Sequence, residues 1–220
     1  LDNSEGGFCI VVTFSNHVAV RYNKCYDYSY DGIVLDYSDH GNISYNEVVS
    51  LRDVNSGINA DGIRHDCSYS ILSHNRIRVK LKHGSACAMT IANGNSGSKI
   101  FGNVVETSAC GIGSVRWNPD NASKNHMLQF YGNSITGIQG DSPCFAGFKL
   151  TAENKGVELP STTHSRFHSN TVKGCRYAVY IVDTSISDNS FYNNLFYTDH
   201  TVGGGGDFSA NLWNAQRDCG

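Results

Sequence analysis

A six-residue pattern returns along the chain at coil-length intervals: an apolar residue, two variable residues, Asn, one variable residue and a second apolar residue. It occurs as VRYNKC (20–25), ISYNEV (43–48), LSHNRI (72–77), IFGNVV (100–105), FYGNSI (130–135), FHSNTV (167–172) and FYNNLF (191–196). The recurring residues are Asn23, Asn46, Asn75, Asn103, Asn133, Asn170 and Asn194, spaced 23, 29, 28, 30, 37 and 24 residues apart. Self-similarity at such a period is the signature of a solenoid, in which each repeat buries its apolar face only against its neighbours.

A second element precedes most of these patterns: a small residue followed by alternating apolar positions, as in DGIVLDY (31–37), DGIRHDC (61–67), CAMTIAN (87–93), CGIGSVR (110–116), FAGFKLT (145–151) and YAVYIVD (177–183). Period-two alternation marks short strands with one buried face. Repeats made of short strands and sharp turns predict an all-β fold, a single-stranded right-handed parallel β-helix of about seven coils with an internal Asn ladder. Coils stack about 4.8 Å apart. Asn tolerates the left-handed conformation that a tight turn between sheets needs, and its amide can bond the equivalent Asn one coil away. The residues three before each Asn, Val20, Ile43, Leu72, Ile100, Phe130, Phe167 and Phe191, then stack inward. Their change from aliphatic to aromatic predicts a core that widens toward the C-terminus. The helix is expected over 1–202, with GGGG (203–206) opening a break and a tail or cap over 203–220. The longest intervals place loops at 115–126 and 151–164, where solenoids carry recognition.

Composition agrees, with 23 Gly, 12 Tyr and only three Pro. A net charge of −3 with both signs scattered leaves no basic stripe for a phosphate backbone, which argues against nucleic-acid binding. No apolar run approaches the roughly 20 residues of a membrane helix. Eight cysteines without a CxxC pair point to disulfides in an oxidising compartment, not to zinc. Cys87 and Cys110 hold equivalent positions, as do Cys144 and Cys175, so each pair is expected to bridge adjacent coils. Cys9–Cys25 is a further expected pair, and Cys67 and Cys219 stay unassigned. Asn42 and Asn121 open glycosylation sequons, so a secreted or extracellular glycoprotein is expected. The chain opens on Leu1, which reads as a processed protein or part of a longer one.

The repeat pattern resembles the parallel β-helix repeats of the pectate-lyase-like superfamily. GIRHDCSYSILSHNRIRVKLKHG (62–84) is similar to the motif-bearing coil of alginate C5-epimerases through His65, Asp66 and Lys82-His83-Gly84, with Ile63 and Arg64 in place of the first two motif residues. The segments 117–150 and 166–181 resemble the β-helix part of fibrocystin-like extracellular receptors, which implies a large surface or matrix protein without established chemistry in this domain.

Two classes of function follow. A polysaccharide lyase or uronate epimerase needs a cation for the carboxylate, a base for the C5 proton and an acid for the other face or the leaving oxygen. Arg64, His65, Asp66, Lys82 and His83 supply those residue types; alternation puts Arg64 and Asp66 on the outer face, where such a pair also reads as a solvated ion pair. The leading expectation is non-catalytic: a disulfide-bonded structural or adhesive module. It would be a head-to-tail filament subunit or an excerpt of a large surface protein, since uncapped strand edges recruit another copy or neighbouring domains. No cofactor is expected; Asp27, Asp31, Asp36 and Asp39 could gather Ca²⁺, but their spacing fits turns better. Tyr22, Tyr45, Tyr131 and Tyr192, each just before a ladder Asn, are expected to stack outward, as a glycan-binding strip or as a shield for the sheet.

Overall fold

The protein was analysed as a computed structural model that describes residues 7–61, 69–81, 86–92, 95–116, 125–138, 144–152, 162–182, 188–204 and 212–216. Every strand pairing among them is parallel, and no helix among them is long and apolar enough to cross a membrane. The chain is a parallel β-helix with three faces. The first face is an eight-stranded sheet running from Ile10–Thr13 through Asp31–Asp36, Ser56–Asp61, Cys87–Ala92, Cys110–Arg116, Cys144–Ala152 and Cys175–Ile181 to His200–Gly203. The other two faces are the short strands before and after each ladder Asn, such as Ala19–Arg21 and Lys24–Tyr26 in the first coil. They join in the last full coil, where Ser190–Tyr197 runs through the corner unbroken.

The corner between those two faces explains why Asn recurs. The left-handed backbone conformation belongs to the residue before the ladder Asn, not to the Asn as its reputation in turns led us to expect. Tyr22, Tyr45, His74, Gly102, Gly132, Ser169 and Asn193 have φ between 53° and 63°. The ladder Asn works through its side chain. Each Oδ1 accepts both the backbone N–H and the Nδ2–H of the Asn one coil earlier, at 2.9–3.1 Å from Asn46 through Asn194. The second Nδ2–H bonds a carbonyl of the preceding coil, as Asn75 does to Ile43 and Asn133 to Ile100. All four bonding positions of the amide are thereby used inside a buried corner.

Inside, Val20, Ile43, Leu72, Ile100, Phe130, Phe167 and Phe191 are register partners from coil to coil and buried. Ring centroids of Phe130 and Phe167 lie 4.4 Å apart and those of Phe167 and Phe191 4.5 Å, both stacked. The small residue that opens each strand of the first face also has a physical cause. A Cβ on Gly32, Gly57, Gly111 or Gly147 would stand 2.5–2.9 Å from a carbonyl oxygen of the next coil, so at these four positions only glycine fits without a shift.

Two disulfides staple the shell. Cys144 and Cys175 are register partners on adjacent strands with Cα atoms 4.3 Å apart. Cys9–Cys25, with Cα atoms 5.8 Å apart, closes the first coil on itself. Cys87 and Cys110 are register partners in the same sheet and buried. Leu212–Gln216 pairs in parallel with Ser190–Tyr197, so strand structure resumes after the GGGG stretch as a further coil.

Candidate functional site

A shallow groove follows the Asn corner of the first three coils. It is a groove of about 420 Å³ lined by Tyr22, Asn23, Lys24, Tyr45, Asn46, Glu47, His74 and Arg76. The left-handed residues throw their rings outward as one wall; the first outward residues of the following strands, Lys24, Glu47 and Arg76, form the other. Lys24 Nζ lies 3.8 Å from Glu47 Oε2, and the Tyr26 hydroxyl donates to the same oxygen at 2.8 Å. That hydrogen bond raises the Tyr26 pKa. Arg76 stands on the rung next to Glu47. The ion pairs continue along the face as Arg78–Glu106 at 3.1 Å and Lys80–Asp53 at 3.0 Å. Exposed pairs of this kind contribute about 0–1 kcal/mol each.

The ring wall belongs to a stack that runs the length of the solenoid. Successive centroids from Tyr22 through Tyr45, His74, Phe101, Tyr131 and His168 to Tyr192 are 4.8–5.2 Å apart. The stack changes track once. In the first three coils the ring sits on the left-handed residue; in the last four it sits one residue earlier, where the first coils carry Arg21, Ser44 and Ser73. The change falls at His74–Phe101, the one edge-on contact of the series, with planes at 85°. His74 there lies over Gly102, where a Cβ would come within 3.1 Å of its ring. Within each track the ring faces cover one another, so edges and hydroxyls are what line the groove. Sequence reading found the four tyrosines but missed His74, Phe101 and His168. The signal was available, because every ladder Asn has a ring one or two residues before it.

Arg64, His65, Asp66, Lys82 and His83 lie outside the described residues, as do Cys67, Asn121 and Cys219. The strands that bracket the charged residues are described. Arg64–Asp66 follow Ser56–Asp61 at its C-terminal end, whereas Lys82 and His83 precede Cys87–Ala92 at its N-terminal end. Since Asp61 pairs with Ala92, the two bracketing points are five residues apart along the sheet, about 17 Å.

On that face, burial raises the carboxyl pKa of Asp36 against a weaker opposing hydrogen bond from Tyr37. Burial likewise raises Asp39, although His40 and His17 pull it down. Burial raises the Tyr28 hydroxyl far above the usual phenol range, with Asp31 adding to the effect. His168, in the ring stack, is shifted down by burial and by Arg166. Asn42 is half-buried in the strand Asn42–Ser44, with its Oδ1 buried.

A family described as "Periplasmic copper-binding protein (NosD)" matches residues 132–219. No curated protein matches the chain. Within the matched stretch, Cys144 and Cys175 are joined to each other, His168 lies between two tyrosine rings, and His164 lies 4.0 Å from Asp188. Among the described residues no three His, Cys, Asp or Glu side chains gather to hold a metal. These donors do not fit a copper centre, and no chemistry is derived through one.

Proposed function

We propose that the chain is a structural or adhesive β-helix module of an oxidising, extracytoplasmic compartment, serving as a filament subunit or as part of a larger surface protein. The observation that carries this reading is the coil-to-coil disulfide Cys144–Cys175, set in a solenoid whose outer corner is lined with stacked rings and paired charges. Disulfides are stable in secreted and periplasmic space and scarce in the cytosol. Cys87–Cys110 is a third staple in this reading, and Asn42 and Asn121 are the glycan acceptors. Alkylation and mass mapping of protein from an exporting host check it. Cys9–Cys25, Cys144–Cys175 and Cys87–Cys110 linked peptides are expected, and a fully alkylated set of thiols sinks the proposal.

A second reading, a lyase or epimerase of acidic glycans, draws support from the half-buried Asp36 carboxyl on the first face, whose pKa burial raises. Its test is an assay of uronate polymers with the wild type and with His65→Ala. Equal rates in the two, or no turnover, end it.

A further inference from the structure

The chain holds 12 tyrosines, and the stacking of coils decides which of them meet. Among the described residues two pairs set tyrosine ring against tyrosine ring. Tyr22 and Tyr45 stand on adjacent coils, stacked with centroids 5.2 Å apart and planes within 12°. Tyr177 and Tyr180 share one strand, 5.3 Å apart and tilted by 44°. Tyr131 and Tyr192 both face His168 instead, and Tyr37 faces Phe14. Tyr22 is 69% and Tyr45 46% exposed, and both line the groove beside the Asn corner. Their left-handed backbone turns the rings outward, across the coils, so the ring edges and hydroxyls stay open whatever coil stacks on either side. Arg21 clips the pair together. Its Nε donates to Ser44 Oγ at 3.1 Å, which sets the guanidinium carbon 5.2 Å from the Tyr22 centroid and 5.8 Å from that of Tyr45. Among the described residues no disulfide joins these two coils, since Cys9–Cys25 lies within the first.

We propose that Tyr22 and Tyr45 form a modification site at which one-electron oxidation joins the two rings by a carbon–carbon bond, a staple between the first and second coils. A peroxidase-class oxidant takes one electron from each phenol, and the two hydroxyl protons pass to solvent. The two radicals pair their electrons in a bond between the ring carbons next to the hydroxyls, the Cε of each residue. Each of those carbons then gives up its hydrogen as a proton, and each phenolic oxygen regains one. The net loss is two hydrogen atoms, which with one hydrogen peroxide make two waters. Holding both radicals on one molecule turns a bimolecular coupling into a unimolecular one. Exposed side chains reorient in picoseconds to nanoseconds, so the stacked rings reach the edge-to-edge approach that the bond needs. The inference goes beyond the module reading and needs only the geometry of the rings.

The test treats the folded full chain with a haem peroxidase and one hydrogen peroxide per chain, then digests it and maps linked peptides by mass spectrometry. The main product is expected to be a peptide pair joined through Tyr22 and Tyr45, lighter by two hydrogen atoms and fluorescent as dityrosine. Its yield should hold on about tenfold dilution, whereas links between molecules fall. Tyr45→Phe keeps the ring and should abolish the link. Phe14 holds a left-handed position against a tyrosine ring, so this variant is expected to fold. Absence of the Tyr22–Tyr45 link, links between molecules alone, or links spread evenly over the tyrosines overturns the inference.

Discussion

The β-helix turns sharply at two corners, and the two solve the same problem unequally. At the Asn corner every left-handed residue is followed by Asn, and the amide bonds run without a gap from Asn23 to Asn194. At the other corner His17, His40, Tyr69, Gly97, Met127, His164 and Asp188 hold the left-handed conformation, and Val18, Gly41, Ser70, Ser98, Leu128, Ser165 and Asn189 follow them. There side-chain oxygens accept from Gly41, Ser70, Leu128 and Ser165 N–H at 2.8–3.1 Å, but the series is broken where Leu128 offers no acceptor. An amide can donate and accept at once and so propagates through every coil. A hydroxyl at this corner accepts from the coil before it but spends its one proton within its own coil, as Ser165 does on Thr163 O, so the chain of side chains does not propagate, and the corner holds an apolar residue at Leu128.

The comparison is open to breaking. Asn133→Ala removes the acceptor for two donors of Asn103 and the donors to Ile100 O and Asn170 Oδ1, all in the buried corner. A loss of about 4 kcal/mol is expected in urea denaturation, from several buried groups left without partners. Ser165→Ala removes one acceptor, for Leu128 N–H, and one donor, to Thr163 O. It should cost about 1–2 kcal/mol. Equal losses at the two corners would show that they are held alike.

The smallest effect is that of pH on the ring stack above the Asn corner. The folded His168 has a pKa below its ordinary 6.5, from burial and then from Arg166, so the unfolded chain takes up the proton first. The stability tied to neutral His168 is therefore complete above about 6.5 and is lost as pH falls through the lowered folded value. The wild type minus His168→Gln difference in denaturation midpoint should shrink on acidification over that window. A difference that grows on acidification would reverse the sign argued for this site.

The contrast between corners also decides what can be read from sequence. The Asn pattern is visible because one residue type alone performs the job at a fixed offset from an apolar pair. The other corner is invisible because Ser, Gly, Val, Leu and Asn stand in for one another there. The small residue opening each first-face strand is plain as a pattern, yet its cause, a carbonyl one coil away, exists only once coils are stacked. The left-handed position was misplaced by one because the turn habits of Asn were weighed above its capacity as a ladder rung. The ring stack was half-read for a related reason: its two tracks differ by one residue, and only stacking shows that both are one column. The charged stretch around His65 reads plainly as a set of residue types, and it lies outside the described residues.

The change of track at His74–Phe101 makes the protein comparable to a one-dimensional crystal with a single dislocation. Copies of a whole coil can be inserted or lost on either side of that line with every ring still facing a ring. Recombination that joins an early coil directly to a late one must recreate the line, with an edge-on ring above a glycine turn. The junction thus divides the column of outer rings into two lattices, one on each side of His74–Phe101.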